Sequence, residues 1–327
     1  MPLTRKQKWR IDKVQSEKIA RADKAALKVE SQIHDDDEYP GIVITRYGQR
    51  QLVEAENGDL FQSVSRQNIG FSVAGDRVLF QKTKHNEAIV TAIYPRDTEL
   101  KRQGKLIAAN IDQLWLVVAT EPHYEYELID RYLIMAENSH LPIGIVVNKI
   151  ELSDNQNKTI SDFSHYTSLG YDVHFLSVKE HTNLQAFKEQ LINKSHIFLG
   201  QSGVGKSSLI NSLIPDLELR VNEISNKSKL GKHTTTNTTI YHIPSGGDLI
   251  DSPGVREFQL DELSELDIKS GFKEFKALSG ECRFRDCKHI NEPNCSIKIA
   301  MERGCLLYTS DAADEGLGVD LGGRRII

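Results

Sequence analysis

Between Gly41 and Tyr94 apolar and polar residues alternate in short runs: Gly41–Tyr47, Gln51–Ala55, Leu60–Ser65, Asp76–Gln81 and Ala88–Tyr94. Gly58-Asp59 and Gly75-Asp76 punctuate them, and no stretch there keeps the spacing of an amphipathic helix. Several short strands with turn signals predict a small all-β barrel, and the pattern fits an OB-fold or an SH3-like barrel equally. After Arg96 the rhythm changes. Apolar runs at Leu114–Ala119, Ile143–Val147, Val173–Leu176, Ile197–Leu199, Thr239–Ile243 and Leu249–Ile250 read as buried-type strands. Helical stretches over about Leu128–Asn138, Lys158–Leu169, Leu184–Asn193 and Lys206–Leu213 alternate with them. That alternation predicts an α/β domain with a mostly parallel sheet. From Leu263 onward the chain reads as helical, then rich in cysteine and charge, and no internal repeat is present.

The expected organisation is a basic extension over 1–36, the barrel over 37–97, the α/β domain over 98–262, a cysteine-bearing domain over 263–305 and a tail over 306–327. The tail has little periodicity, and its run from Tyr308 to Glu315 reads as a non-native scar or a disordered end. Bulk charge changes this picture little. The 327 residues carry a formal net charge of −5, which does not call for a nucleic-acid partner. Local charge is more telling, because residues 1–30 hold nine Lys/Arg against four Asp/Glu. Such an arm is either a solvated extension or an RNA-binding tail. No apolar stretch follows the first ten residues, so no secretory signal is expected. The run Leu114–Ala119 is far too short to cross a bilayer, and a soluble, cytoplasmic protein with no membrane partner is expected.

The chemistry begins at Gly200. The residues Gly200, Gln201, Ser202, Gly203, Val204, Gly205, Lys206 and Ser207 fit G-x-x-x-x-G-K-[ST]. They lie between the strand His196–Leu199 and the helix that Ser208 enters, where a phosphate loop must lie. Glycines let backbone N–H groups curl around phosphates, and the helix N-terminus adds partial positive charge. Lys206 should reach the β- and γ-phosphates and act in catalysis, while the Ser207 hydroxyl should hold Mg²⁺.

Asn148, Lys149, Ile150 and Glu151 follow the strand Ile143–Val147 and resemble the Asn-Lys-x-Asp signature of guanine-nucleotide proteins. A carboxylate there accepts from guanine N1–H and the exocyclic amine, a donor pair that adenine lacks, so GTP is the expected substrate. Glu151 keeps the charge and both acceptor oxygens but adds a methylene. Ser177, Val178 and Lys179 lie where a second base-contacting loop belongs. Asp251 and Gly254 fit Asp-x-x-Gly, in which Asp holds Mg²⁺ through water and Gly senses the γ-phosphate. Between the phosphate loop and Asp251, Thr234, Thr235 and Thr236 offer a switch threonine, or simply lead into the next strand. Ordinary GTPases run from phosphate loop to base motif. Here the cycle is the same but opens at the base motif, a circular permutation. Val255 stands where many GTPases carry a water-orienting Gln, so intrinsic hydrolysis should be slow. His233 is the polar candidate to help, or an exposed loop histidine.

Cys282, Cys287, His289 and Cys295 place three thiols and an imidazole within fourteen residues. That is a full tetrahedral set for one structural Zn²⁺, with no open position for substrate. Arg283, Arg285, Lys288 and Lys298 make this knob modestly basic.

Gly200–Ser208, Gly231–Thr236, Asp251–Phe258, Asn148-Lys149 and the zinc pattern, in this permuted order, resemble the ribosome small-subunit-dependent GTPase A family. The resemblance covers roughly residues 1–305. It implies a multidomain α/β protein: an N-terminal OB-fold, a central circularly permuted P-loop GTPase and a C-terminal zinc-binding helical domain. It further implies a cytoplasmic, monomeric factor that binds the small ribosomal subunit and its rRNA and assists late maturation, with turnover stimulated by the subunit. Glu151 departs from the family's usual Asp. A rival reading is a GTP-gated RNA-binding module whose hydrolysis is incidental, and a third is an ATP-using P-loop enzyme.

Overall fold

The computed structural model describes the chain except for residues 1–4, 27–37, 68, 84–85, 103, 216, 218–237, 252–266, 268–269, 274–277, 279–280, 285–286, 288–291 and 303–327. His233, Thr234, Thr235, Gly254 and His289 lie outside the described residues, as does the 306–327 tail. The chain forms two compact units, one of residues 1–112, 188–197 and 210–256, the other of 113–187, 198–209 and 257–327.

In the first unit, β1 (Glu38–Tyr47), β2 (Arg50–Ala55), β3 (Leu60–Ser65), β4 (Arg77–Lys82) and β5 (Glu87–Ile93) close a barrel. The pairs are β1–β2, β2–β3, parallel β3–β5, β5–β4 and β4–β1. Five strands closed in that order are OB-like, which separates two options that periodicity leaves open. Inward positions Val43, Val53, Phe61, Val78, Phe80 and Val90 form its core, as the period-2 pattern demands. Each such apolar side chain contributes about 1.5–3 kcal/mol on burial. The barrel passes to a hairpin, β6 (Glu99–Arg102) and β7 (Lys105–Ala109), which the sequence reading did not anticipate. Arg96, ahead of the hairpin, bonds the fully buried Asp76 with both Nε (2.7 Å) and Nη2 (2.9 Å) and reaches Glu99 of β6 with Nη1 (3.2 Å).

The basic arm is not extended: α1 runs over Arg5–Ala26. Ile11, Gln15, Lys18 and Ile19 share one half-buried face at helical spacing. Gln15 Nε2 donates to the Ile69 carbonyl (3.2 Å) and Lys18 pairs with Glu38 (2.5 Å), so the helix lies on the barrel.

The second unit carries β8 (Gln113–Ala119), β9 (Ile143–Asn148) and β10 (Val173–Phe175), all parallel in the order β10-β9-β8. Parallel strands covered on both faces need continuous apolar runs, and β8 and β9 are buried almost throughout. The helices are α2 (Tyr126–Asn138), α3 (Gln156–Asp162), α4 (Ser164–Ser168) and α5 (Leu184–Gln190). The single helix expected over 158–169 is thus two, broken at Phe163, whose fully buried ring packs edge-on against Tyr124 and Phe175. Strand β11 (Ser195–Leu199) enters the phosphate loop, and α6 (Lys206–Leu213) leaves it. Farther on come β12 (Thr239–His242) and β13 (Asp248–Asp251), which belong to the first unit, and α7 (Ser296–Glu302) of the second. No described helix is long and apolar enough to cross a membrane.

Candidate functional site

Between β11 and α6 the backbone at Gly200 takes φ +134°, and a Cβ there would collide with the Val117 carbonyl oxygen of β8. Only glycine satisfies both demands, which accounts for the first position of the motif. Gly205 is equally constrained: at φ +94° its Cβ position abuts the Asn148 amide. Lys206 opens α6 and is 9 % exposed. Its ammonium donates to the carbonyls of Gly200 (2.6 Å) and Gln201. Ser207 and Ser208 stand exposed in the first turn of α6, while Val204 is buried beneath the loop.

Asn148, at the end of β9, is 2 % exposed and ties two loops together. Its Nδ2 donates to the Val204 carbonyl (2.9 Å), and its Oδ1 accepts from the Val178 N–H (3.3 Å). Lys149 adopts the left-handed conformation at φ 59°. Its ammonium donates to the carbonyls of Gly203 (2.7 Å) and Glu121 (2.6 Å). The phosphate loop is therefore braced from behind by both residues of the Asn-Lys pair. Thr120, at the end of β8, was not anticipated from sequence: its hydroxyl donates to the Lys149 carbonyl (2.6 Å). Only its place after a buried strand marked it. Ser177 is fully buried, and its Oγ accepts from the Glu180 N–H (3.0 Å), which shapes the loop containing Val178 and Lys179.

Ile150 and Glu151 begin a short 3-10 turn, Ile150–Leu152. Glu151 Oε2 is buried and makes no hydrogen bond among the described residues. A buried, unpaired carboxylate oxygen is costly unless a ligand completes it. Its position after the Asn-Lys pair suits a base edge with paired donors. Asp251 ends β13 and is 8 % exposed.

In the C-terminal segment the sulfurs of Cys282, Cys287 and Cys295 lie within 4.8 Å of one another. Cys282 and Cys295 are 4.0 Å apart, close to the ~3.8 Å edge that tetrahedral Zn–S bonds require. Burial raises the Cys282 thiol, but hydrogen bonds with Ser296, Cys287 and Cys295 outweigh it and leave the pKa below the ordinary thiol value. A thiol so disposed suits metal binding, and the donor set fits zinc. The cluster shares its core with Phe272, Ile297, Ala300 and Ile134 of α2.

A buried strand, a glycine-bearing loop and a helix, with an Asn-Lys pair bracing the loop, define a P-loop nucleoside triphosphate-binding protein. The chain belongs to the RsgA GTPase family, whose model matches residues 93–261. It is accordingly a GTP-hydrolysing enzyme. It is 41 % identical over 319 residues to the small ribosomal subunit biogenesis GTPase RsgA of Hahella chejuensis, covering 93 % of this chain and 92 % of that one. The protein of that name from Pseudomonas fluorescens (strain SBW25) is 42 % identical over 316 residues, covering 92 % of each. Among solved structures, YjeQ from Thermotoga maritima superposes with a TM-score of 0.69 at 29 % identity, over 83 % of this chain and 93 % of that one. The structure of YloQ, a circularly permuted GTPase, gives 0.68 at 27 %, over 85 % and 92 %.

Proposed function

We propose that this chain is a GTP-driven maturation factor that binds immature small ribosomal subunits through their rRNA, acts as a monomer in the cytoplasm, and leaves after hydrolysis. The observation that supports it most is its likeness, over nine-tenths of both chains, to relatives named for small-subunit biogenesis. On this reading the OB barrel spans 37–97, the permuted GTPase 98–262 and the zinc-binding domain 263–305.

The backbone N–H groups of Gly200 to Ser208 take the phosphates, and Lys206 exchanges its two carbonyl partners for β- and γ-phosphate oxygens. Asn148, Lys149, Ile150 and Glu151, with Ser177, Val178 and Lys179, receive guanine. Mg²⁺, when bound, offsets charge on the β- and γ-phosphates. Ser207, Asp251 and one of Thr234 and Thr235 are its proposed holders, and Gly254 senses the γ-phosphate. Cys282, Cys287, Cys295 and His289 would hold one Zn²⁺ per chain, which would supply a structural cross-link. Val255 cannot orient water, so the reaction depends on His233 or on a group from the subunit.

Small subunits are expected to raise GTP turnover by about one order of magnitude or more, the scale of a positioned acid–base or orienting group. Steady-state phosphate release with purified small subunits, large subunits and unrelated RNA measures this. The stimulation should weaken as salt rises, because phosphate contacts release counterions. Equal stimulation by unrelated RNA would favour the RNA-module reading, and none at low salt would remove the small-subunit assignment.

Glu151→Ala is expected to weaken GTP binding by about 1.5–3 kcal/mol, the scale of charge-assisted hydrogen bonds, while Glu151→Asp keeps or tightens it. Titration with a fluorescent GTP analogue reads both. Unchanged affinity in the alanine variant would end the base-reading role.

A further inference from the structure

In the first unit, β12 and β13 form an antiparallel hairpin in which Thr239 faces Asp251 and His242 faces Asp248. Strand β1 of the barrel meets this hairpin at one described residue pair, Thr45 with Thr239. Thr45, Thr239 and Asp251 therefore form one row across three strands, from the barrel to the carboxylate of the Asp-x-x-Gly motif. All three are buried. Thr239 Oγ1 donates to Thr45 Oγ1 (3.0 Å), and Thr45 Oγ1 donates to the Thr238 carbonyl (3.0 Å). A second row lies three residues farther along β12. His242 Nε2 bonds Glu54 Oε2 of β2 (2.7 Å), and Nδ1 bonds Asp248 Oδ1 (2.5 Å). With both ring nitrogens facing carboxylates the imidazole is held doubly protonated. Asp248 first and Glu54 second push its pKa up to about 10.

The chemistry of this junction is unusual for a merely structural seam. A long backbone ladder would join barrel and hairpin without side chains. Here the described ladder is one pair, and two polar side-chain bridges do the joining. Side-chain bridges transmit displacement in both directions, because each hydrogen bond fixes a donor on one strand to an acceptor on the next. The histidine bridge ends on β13, the strand that presents Asp251, and the threonine bridge ends on Thr239 of β12, the ladder partner of Asp251.

We propose that Thr45, Glu54 and His242 are positioning residues that link the barrel to Asp251, so that RNA on the barrel and Mg·GTP at Asp251 favour or disfavour each other. The proposal rests on the functional reading above for the role of Asp251 and for the RNA. Linkage is reciprocal: what the barrel does to the nucleotide site, the nucleotide does to the barrel.

The test uses the full chain and a Thr45→Val/Glu54→Gln double variant, with Thr45→Ser as the conservative control that keeps the hydroxyl. In the first arm, hydrogen exchange of residues 41–55 is compared between GDP and a non-hydrolysable GTP analogue with Mg²⁺. The parent and Thr45→Ser should change protection there by about fivefold or more between nucleotides, the lower end of ordinary coupling, whereas the double variant should not respond. In the second arm, the small-subunit stimulation of turnover should fall about tenfold in the double variant, with basal turnover and subunit affinity within about twofold of the parent. Barrel exchange that ignores the nucleotide in the parent overturns the proposal, as does a double variant that responds like the parent. Loss of stimulation accompanied by equal loss of subunit affinity, or by a lowered Tm, makes the bridges structural only and also overturns it. If the parent shows the exchange linkage but no stimulation by subunits, the linkage stands and the small-subunit reading falls.

Discussion

Lys206→Ala is expected to abolish GTP turnover while the fold survives. The ammonium is nearly buried and held by the carbonyls of Gly200 and Gln201, so it is delivered to the mouth of the loop without a search through rotamers. A fixed cation aimed at developing negative charge in a site poor in water is worth far more than the same cation in solution. Removing one such group typically costs a factor of about 10² to 10³ in kcat. On the proposed reading, Val255 offers no polar side chain to compensate where many GTPases orient water. The fold should persist because Asn148 and Lys149 still brace the loop. Single-turnover hydrolysis, nucleotide affinity and thermal melting, measured on one preparation, decide the matter. A variant that melts normally and hydrolyses GTP at the parental rate would refute the phosphate-loop assignment.

Cys287→Ser is expected to reduce bound zinc from about one equivalent per chain to background, since three remaining ligands of this set lose most of a structural site's affinity. Structural zinc contributes roughly 10–16 kcal/mol of apparent binding free energy, and on the proposed reading it would close a segment with a small core of its own. Cys287 is buried beside Ile134, so the loosening should spread from residues 270–300 into the second half of α2. Contacts there include Asn138 Nδ2 to the Asp267 carbonyl (2.8 Å), Ser270 Oγ to Asn138 Oδ1 (2.8 Å) and Lys273 with Glu137 (3.2 Å). None of them touches Asn148, Lys149 or Lys206, so GTP affinity should remain largely intact. Metal analysis and hydrogen exchange before and after chelation measure this. Less than about half an equivalent in fresh parent protein, or protection that ignores chelation, would count against the zinc assignment.

Strands were legible wherever one physical demand dominated. In the barrel, one wet and one dry face impose alternation, and all five runs fall within a few residues of β1 to β5. In the α/β part, burial on both faces imposes continuous apolar runs, hence β8 and β9. Features set by distant partners were not legible. The arm over 1–36 reads as charge, yet Ile11, Gln15, Lys18 and Ile19 repeat at helical spacing, and Gln15 bonds Ile69 while Lys18 pairs with Glu38. The β6–β7 hairpin hides in the mixed residues 99–109, with Gly104 its one visible signal. The break at Phe163 answers an aromatic core that no local pattern reveals. At the site, the phosphate loop was readable because its glycines answer local backbone demands. The role of Asn148 as a brace was not, because Val204 lies 56 residues away in sequence.

That separation has a counterpart in time. Chains are made at about 5–20 residues per second, so the carbonyl that Asn148 requires follows it by roughly 3–11 s. Strands β8, β9 and β10 are all made before Gly200, and Asp251 comes later still. The part proposed to read guanine can fold as a small parallel sheet while no phosphate loop yet exists. A nascent chain of this order has no phosphate loop until residues 200–208 of its 327 emerge, whereas a chain in ordinary order builds its phosphate grip first.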